Sequence, residues 1–235
     1  MRIAYDFHIH TALSPCGDGD MTPNNIVNMA MLKGLNAIAI TDHNTCGNAE
    51  ACMKCAEGGG LLVLPGMEVE TSEDCHIVCI FPDIDSARAM EEKVHDALPK
   101  IKNRTDIFGE QVYLDENDEV VGYEENMLVT ATSLSTQKVA DLARSFGGVA
   151  IPAHIDKSSY SVISNLGFID KAWGFTTVEI KELSKEQNLR LTGGIGEERV
   201  IHSSDAHYLW DISESEHFLE VESLTPEAII NTLLQ

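Results

Sequence analysis

A chain of 235 residues, 43% of them apolar and with ordinary Gly and Pro usage, has the composition of a soluble globular protein and is long enough for one large domain over 1–235. Sixteen basic side chains face 38 acidic ones, a net charge of −22. The expected surface repels nucleic acid and anionic membrane, so no nucleic-acid partner is expected, and an anionic substrate needs bound metal to invert the local sign.

Ile3 to Phe7 reads as a first strand, and a helix follows from Thr22-Pro23, where Thr caps and Pro takes the first helical position. Its apolar residues Ile26, Val27, Ala30 and Met31 recur at helical spacing, and Gly34 ends it. Ala37 to Ile40 is continuously apolar, as a buried parallel strand should be. A helix over 48–57, a strand Leu61 to Leu64 leading to Glu68, a strand over 76–81 and a helix over 84–98 come next. The rhythm breaks near 102–130, where two short apolar runs flank the turn-like Asp115-Glu116-Asn117-Asp118 and predict a β-hairpin inserted over the mouth of the fold. A helix over 135–146, strands at Val149 to Ala153, Phe175 to Ile180 and Val200 to Ser203, and a helix over 225–234 complete the chain. Alternating strand and helix throughout argues for a parallel α/β barrel or open sheet.

No run of about eighteen apolar residues predicts a membrane span. The start of the chain has no apolar signal core, and six cysteines read as reduced thiols, so the expectation is a cytoplasmic protein. Cys52 and Cys55 form one Cys-x-x-Cys, but inside a predicted helix and with no second pair, so they read as packing residues.

The chemistry gathers at strand ends. His8 and His10 directly follow the first strand, and residues two apart in an extended segment point the same way. Asp42 and His43 follow the second strand, Glu68 the third, His154 the strand ending at Ala153, and Asp205 and His207 the strand beginning at Val200. The C-terminal ends of parallel strands are where barrel active sites form. Imidazole and carboxylate ligands suit Zn, Mn and Fe, and two or three close ions would lower the pKa of a shared water and neutralise phosphate oxygens. The residues alone therefore predict a metal-dependent hydrolase.

In order along the chain stand Asp6-Phe7-His8-Ile9-His10-Thr11, Thr41-Asp42-His43-Asn44, Pro65-Gly66-Met67-Glu68, Cys75-His76-Ile77, Ala153-His154 and Ser204-Asp205-Ala206-His207. In these motifs the chain resembles the PHP family, named for polymerase and histidinol phosphatase domains. The resemblance implies a distorted TIM-like (β/α)7 barrel and two or three divalent ions (Zn, Mn or Fe). It assigns one ion to His8, His10, Glu68 and Asp205, a second to Glu68, His76 and His154, and a third to His43, His207 and a ligand from the loop after His10. Counting forward from His8 makes that loop ligand Cys16, and counting back from Thr22-Pro23 makes it Asp18; Asp18 is preferred because a hard oxygen suits Mn and Fe as well as Zn. The implied activity is phosphoesterase chemistry by a hydroxide bridging two ions. Asp205 and His207 are the expected catalytic residues, and Lys157 is the expected phosphate-binding cation, ahead of Arg104, Lys181 and Arg190.

The expected substrate is a small phosphorylated metabolite, such as histidinol phosphate or a nucleotide. The alternatives are a nucleic-acid end, disfavoured by the charge; an amidohydrolase, which would need a metal-bridging Lys for which Lys181 stands nearest; and a non-catalytic metal-sensing or partner-binding domain.

Overall fold

The computed structural model describes residues 1–235. The first stretch is a regular alternation: β1 (Arg2–Ile9), α1 (Pro23–Leu32), β2 (Ala37–Ile40), α2 (Ala49–Cys55) and β3 (Leu62–Glu70). It continues through β4 (His76–Ile80), α3 (Ile84–Ala97), the single turn α4 (Thr105–Phe108), β5 (Val112–Leu114), β6 (Val120–Tyr123), α5 (Thr136–Ser145) and β7 (Val149–Pro152). The last part holds α6 (Val162–Leu166), β8 (Thr177–Glu179), α7 (Glu186–Thr192), β9 (Arg199–Ile201), β10 (Phe218–Glu220) and α8 (Pro226–Leu233). Helix starts follow the capping signals: the Thr22 side chain accepts from the Asn25 N–H and the Thr225 side chain from the Ala228 N–H. No helix is long and apolar enough to cross a membrane.

Six strands form one sheet in the order β10-β1-β2-β3-β4-β7. β1, β2 and β3 pair in parallel, whereas β4 pairs antiparallel with both β3 and β7. This corrects the all-parallel expectation. Only residues 71–75 join β3 to β4, and a parallel return needs a connection of a dozen residues or more, so the chain doubles back. β8 and β9 form a parallel pair that extends the curl. Ile155 N–H donates to the Glu179 carbonyl at 2.9 Å beside β7, while His10 N–H donates to the Ala206 carbonyl at 3.0 Å and Ala206 N–H to the His8 carbonyl at 3.2 Å beside β1. The result is a mixed α/β fold with a curled sheet of the distorted TIM-like kind, and the simple (β/α)7 repeat is broken at β4. β10, a three-residue antiparallel edge strand on β1, had no sequence signal.

Strand alternation divides the core. Ala37 and Ala39 of β2 join Tyr5, Phe7, Leu64, Val78 and Ile151 inside the curl, while Ile38 and Ile40 face the helices with Val27, Cys52 and Met90. Phe7 is fully buried there, a contribution of roughly 1.5–3 kcal/mol for one side chain. Ile229, Ile230 and Leu233 of α8 belong to the same interior cluster as Ile3 at the start of β1. All six cysteines are unpaired, with Cys52, Cys75 and Cys79 buried among apolar neighbours.

The predicted hairpin forms from β5 and β6. It is clamped to the loops at the mouth: Asn48 bonds the Val112 carbonyl at 3.0 Å and the Leu114 N–H at 2.9 Å, and Asp118 accepts from the Thr22 hydroxyl and the Asn24 N–H.

Candidate metal centre

Glu68, near the end of β3 and fully buried, lies at the middle of a histidine cluster. Its Oε1 is 2.8 Å from His76 Nδ1, 3.2 Å from His8 Nε2 and 3.2 Å from His154 Nε2. Its Oε2 is 3.0 Å from His43 Nδ1 and 3.5 Å from His10 Nε2. Asp205 Oδ1 closes the far side, 3.3 Å from His10 Nε2 and 3.5 Å from His8 Nε2. The His10 and His207 rings stack with centroids 4.2 Å apart. His76 reaches this cluster from the beginning of β4. An antiparallel strand starts at the end where its parallel neighbours finish, so its first residue, not its last, faces the mouth.

Second contacts fix which nitrogen carries the proton. The Ser14 hydroxyl donates to Asp42 Oδ1 at 2.7 Å, so its contact with His10 Nδ1 at 3.1 Å is one in which the imidazole donates. His8 Nδ1 donates to Glu179 at 3.1 Å, and His207 Nδ1 donates to the Asp205 carbonyl at 3.0 Å. In each ring Nε2 is the nitrogen these contacts leave free, the arrangement that suits a metal ligand once any proton there is displaced. Five buried atoms of the cluster have no hydrogen-bond partner: His8 Nε2, His10 Nε2, His43 Nδ1, His154 Nδ1 and Glu68 Oε2. Orphaned buried polar atoms are costly, and four of these converge on one small space where a cation would satisfy them.

Three groups have ligand atoms within 4.8 Å of one another: His8, His10, Glu68 and Asp205; His43, Glu68 and His76; and His10, His43 and His207. Two ligand atoms on one ion lie at most about 4.4 Å apart, so each group is close to ligation geometry. The first group is the set expected from the sequence. In the second, His43 replaces His154 among the mutually close atoms, although His154 Nε2 still contacts Glu68.

Burial opposes charge throughout the cluster, and neighbours decide the outcome. Burial pushes the Glu68 carboxyl up, but His76, His8 and His43 outweigh it and hold it well below the carboxylate range. Burial pushes His8 down, yet Glu179, Glu68 and Asp205 bring it well above the usual imidazole value. His10, buried beside His207 and His43, is held well below it. For Asp205 the penalty of burial is overcome by His8 and His10, and its carboxyl is depressed. Two of these residues also carry backbone strain: His154 has φ 31° and Asp205 φ 52°. Such positions cost about 1–3 kcal/mol and persist where surrounding structure holds them.

The loop after His10 differs from expectation. Asp18 is not brought to the cluster: its Oδ1 accepts the Asp20 N–H at 2.9 Å within the loop. The Cys16 thiol lies against His207 and His43 instead. Partial desolvation raises the thiol, but those two imidazoles outweigh it and bring it down to about 6. Cys16 is exposed and sits on a short turn, with Gly17 N–H bonded to the Ser14 carbonyl at 2.8 Å and Asp18 N–H to the His207 carbonyl at 2.8 Å. Gly17 is required there because a Cβ would meet the Thr11 carbonyl oxygen at 2.4 Å.

Lys157 stands at the mouth, ion-paired to Asp205 Oδ2 at 2.5 Å with its side chain 39% exposed. Lys181 donates to the Ser204 carbonyl, whereas Arg104 and Arg190 are spent on Asp106 and Glu186 away from the cluster. Asp42, a strand-end acid, does not face the cluster; it is buried and organises the loop by accepting from Thr11 and Ser14. Glu179 was missed. It ends β8 in the run Val178-Glu179-Ile180, and the rule that singled out Glu68 applies equally to it.

The family profile described as the PHP domain matches residues 6–138. The chain belongs to the PHP family. PHP domains are metal-dependent hydrolases that bind divalent metals, and the His/Glu/Asp groups above are the corresponding feature of this chain. The match ends before His154, Asp205 and His207, which the fold brings in from the second half.

Among curated relatives, an uncharacterized protein of Methanocaldococcus jannaschii is 32% identical over 107 residues, covering 42% of this chain and 61% of that protein. The 5'-3' exoribonuclease Rnm of Salmonella typhimurium is 34% identical over 87 residues, covering 35% of this chain and 29% of the exoribonuclease. The matched stretches thus span less than two thirds of these relatives. Among solved structures, the lesion-specific endonuclease PfuEndoQ from Pyrococcus furiosus superposes with a TM-score of 0.72 at 20% identity, over 100% of this chain and 56% of that one. At that identity the likeness is one of fold. Endonuclease Q has also been solved with a 27-mer duplex whose abasic lesion lies at the active site. These nuclease relatives overturn the expectation that no nucleic-acid partner suits this chain. A net charge of −22 governs long-range attraction and non-specific affinity; it does not fix the sign of the field at a site that binds cations.

Proposed function

We propose that this PHP chain is a metal-dependent phosphoesterase that hydrolyses phosphodiester bonds in nucleic acid, taking a short single-stranded stretch at the mouth of the cluster. The observation that carries the reading is the convergence of orphaned imidazole nitrogens on Glu68. The nuclease relatives favour the substrate class. The acidic surface favours a short stretch, because the chain lacks the basic track that a long duplex requires.

His8, His10, Glu68 and Asp205 would hold one ion; Glu68, His76 and His154, with His43 at their edge, a second; and His43, His207 and Cys16 a third. Bound there, divalent metals supply an activated water at neutral pH and neutralise phosphate oxygens. Glu179 and Ser14 keep the His8 and His10 rings turned so that Nε2 faces inward. His207 is held by the Asp205 carbonyl, which couples the two expected catalytic residues. Asp205 would orient the attacking water, whose proton passes to solvent, and Lys157, beside Asp205 Oδ2, would orient a non-bridging phosphate oxygen. Glu68 would be shared between two of the ions, whereas the amidohydrolase alternative needs a bridging lysine, and Lys181, the nearest candidate, is bonded to the Ser204 carbonyl.

The test is incubation of protein loaded with Mn, Zn or Fe with end-labelled single-stranded RNA and DNA. Cleavage that is abolished by chelation and by Asp205→Asn supports the reading. Fully loaded protein that cleaves neither polymer would sink it.

A further inference from the structure

Tyr208 and Trp210 directly follow His207. Their rings lie nearly parallel, 15° apart with centroids separated by 5.1 Å. Both are on the surface, Tyr208 41% and Trp210 70% exposed. In so acidic a chain, a stacked aromatic pair left open beside the metal groups is an unexplained expense of apolar surface. Tyr160, the other exposed aromatic at the cluster, has a packing role because it covers the His76 ring at 4.7 Å.

The Tyr208–Trp210 pair is rigidly mounted. Leu209, between the two rings in sequence, packs on the main core. Lys33 Nζ donates to the Trp210 carbonyl at 2.9 Å and to the Ile212 carbonyl, and pairs with Glu214 at 3.0 Å. Trp210 also lines a cavity of about 540 Å³ whose other walls include Asp205, Ser204, Lys181, His202 and His217. One space is therefore bordered both by Asp205 of the metal groups and by Trp210. That volume falls within the range of small-ligand sites.

We infer that Tyr208 and Trp210 form a nucleobase-stacking platform that seats the base adjoining the phosphate under attack. Every base offers a flat π-face, so stacking on such a shelf is tolerant of sequence. The local charges support the division of labour. Asp211, Glu214 and Glu216 line this space and repel a phosphate, and its cations Lys33 and Lys181 are engaged by carbonyl oxygens, so the phosphate is drawn to Lys157 at Asp205 and the uncharged base lies on the ring. This rests on the nucleic-acid reading above for the choice of occupant, and its test is one of binding, so the two can fail separately.

The chain has two tryptophans, Trp173 and Trp210. In a Trp173→Phe background, Trp210 is the sole indole fluorophore. Metal-loaded protein is titrated with a short phosphorothioate oligodeoxynucleotide and with an abasic phosphorothioate chain of the same length, so that charge is equal and turnover is slow. The expected result is quenching by the base-bearing oligomer alone. In the Trp173 parent, Trp210→Ala should weaken that oligomer by about 5- to 150-fold, followed by anisotropy of a labelled probe, with Trp210→Phe restoring most of the affinity and abasic binding unchanged. Equal binding of the two oligomers, or equal loss of both in Trp210→Ala, overturns the platform. Base-selective quenching in a protein that cleaves no nucleic acid would retain the platform and reject the hydrolase reading; cleavage without base selectivity would do the reverse.

Discussion

His8 Nδ1 lies 3.1 Å from each carboxylate oxygen of Glu179, and Glu179 Oε1 also accepts the His154 N–H at 3.0 Å. One buried acid at the end of β8 thus orients a histidine on β1 and a histidine after β7. Carboxylates behind metal-bound histidines fix the ring and raise its basicity, and their loss typically weakens metal affinity 10- to 100-fold. Glu179→Gln retains the shape but removes the charge. It is expected to lower zinc affinity by about that factor in a chelator competition, with secondary structure unchanged by circular dichroism. Unaltered affinity would mean that the Glu179 contact is only structural.

Much of the histidine cluster was legible because it needs only strand ends to be located, and His8, His10, His43, His154, Asp205 and His207 all lie at or just beyond them. His76 does not, because the short 71–75 connection makes β4 antiparallel and interrupts the βα rhythm. Cys16 and Asp18 are both within reach when counted along the chain. The turn that chooses between them depends on backbone bonds to Ser14 and His207, partners that spacing does not reveal. The (β/α)7 repeat failed at the same place as His76. Net charge misled for a different reason: it is a sum over the surface, whereas specificity is set by the local field.

The placement of the Cys16 thiol against His43 and His207 leads to a spectroscopic prediction. Thiolate is a soft ligand that favours zinc and gives charge-transfer absorption when cobalt replaces it. Cobalt-loaded protein is expected to show a near-ultraviolet thiolate band that disappears in Cys16→Ser and persists in Asp18→Ala. Cys16→Asp should lose the band but keep the third equivalent of metal, measured by elemental analysis. A band that survives in Cys16→Ser would assign the thiolate elsewhere.

Metal removal should be visible in stability. A ligand that binds only the folded chain adds about 2.7 kcal/mol at a concentration one hundred times its Kd. For a domain of this size each kcal/mol moves Tm by about 2–4 °C. Chelation is therefore expected to lower Tm by about 5–10 °C per tightly bound ion lost, read by scanning calorimetry, and re-addition of zinc should restore it. In Glu68→Gln the same chelation should produce a much smaller shift, because Glu68 contacts five of the histidines. A Tm that ignores chelation in the parent chain would indicate that the orphaned nitrogens hold no metal.

Asp42 tests whether the loop and the cluster are one unit. Its carboxylate, fully buried, accepts from Thr11 N–H, Thr11 Oγ1 and Ser14 Oγ, each at 2.7 Å, while Ser14 Oγ also takes His10 Nδ1–H and His43 N–H at 3.1 Å. Removing the Ser14 hydroxyl leaves two donors without a partner, while Asp42 Oδ1 keeps the Thr11 N–H, and each unsatisfied buried group costs about 1–3 kcal/mol. Water entering the space would satisfy some of them. Ser14→Ala is therefore expected to destabilise the metal-free protein by about 2–4 kcal/mol in urea unfolding. It should also weaken metal at the His10 groups by freeing the ring to rotate. Ser14→Thr, which keeps the hydroxyl, should recover most of the metal affinity even where its extra methyl costs stability. If Ser14→Ala lost stability but bound metal as the parent does, the His10 ring would be held by packing against His207 rather than by the Asp42 relay.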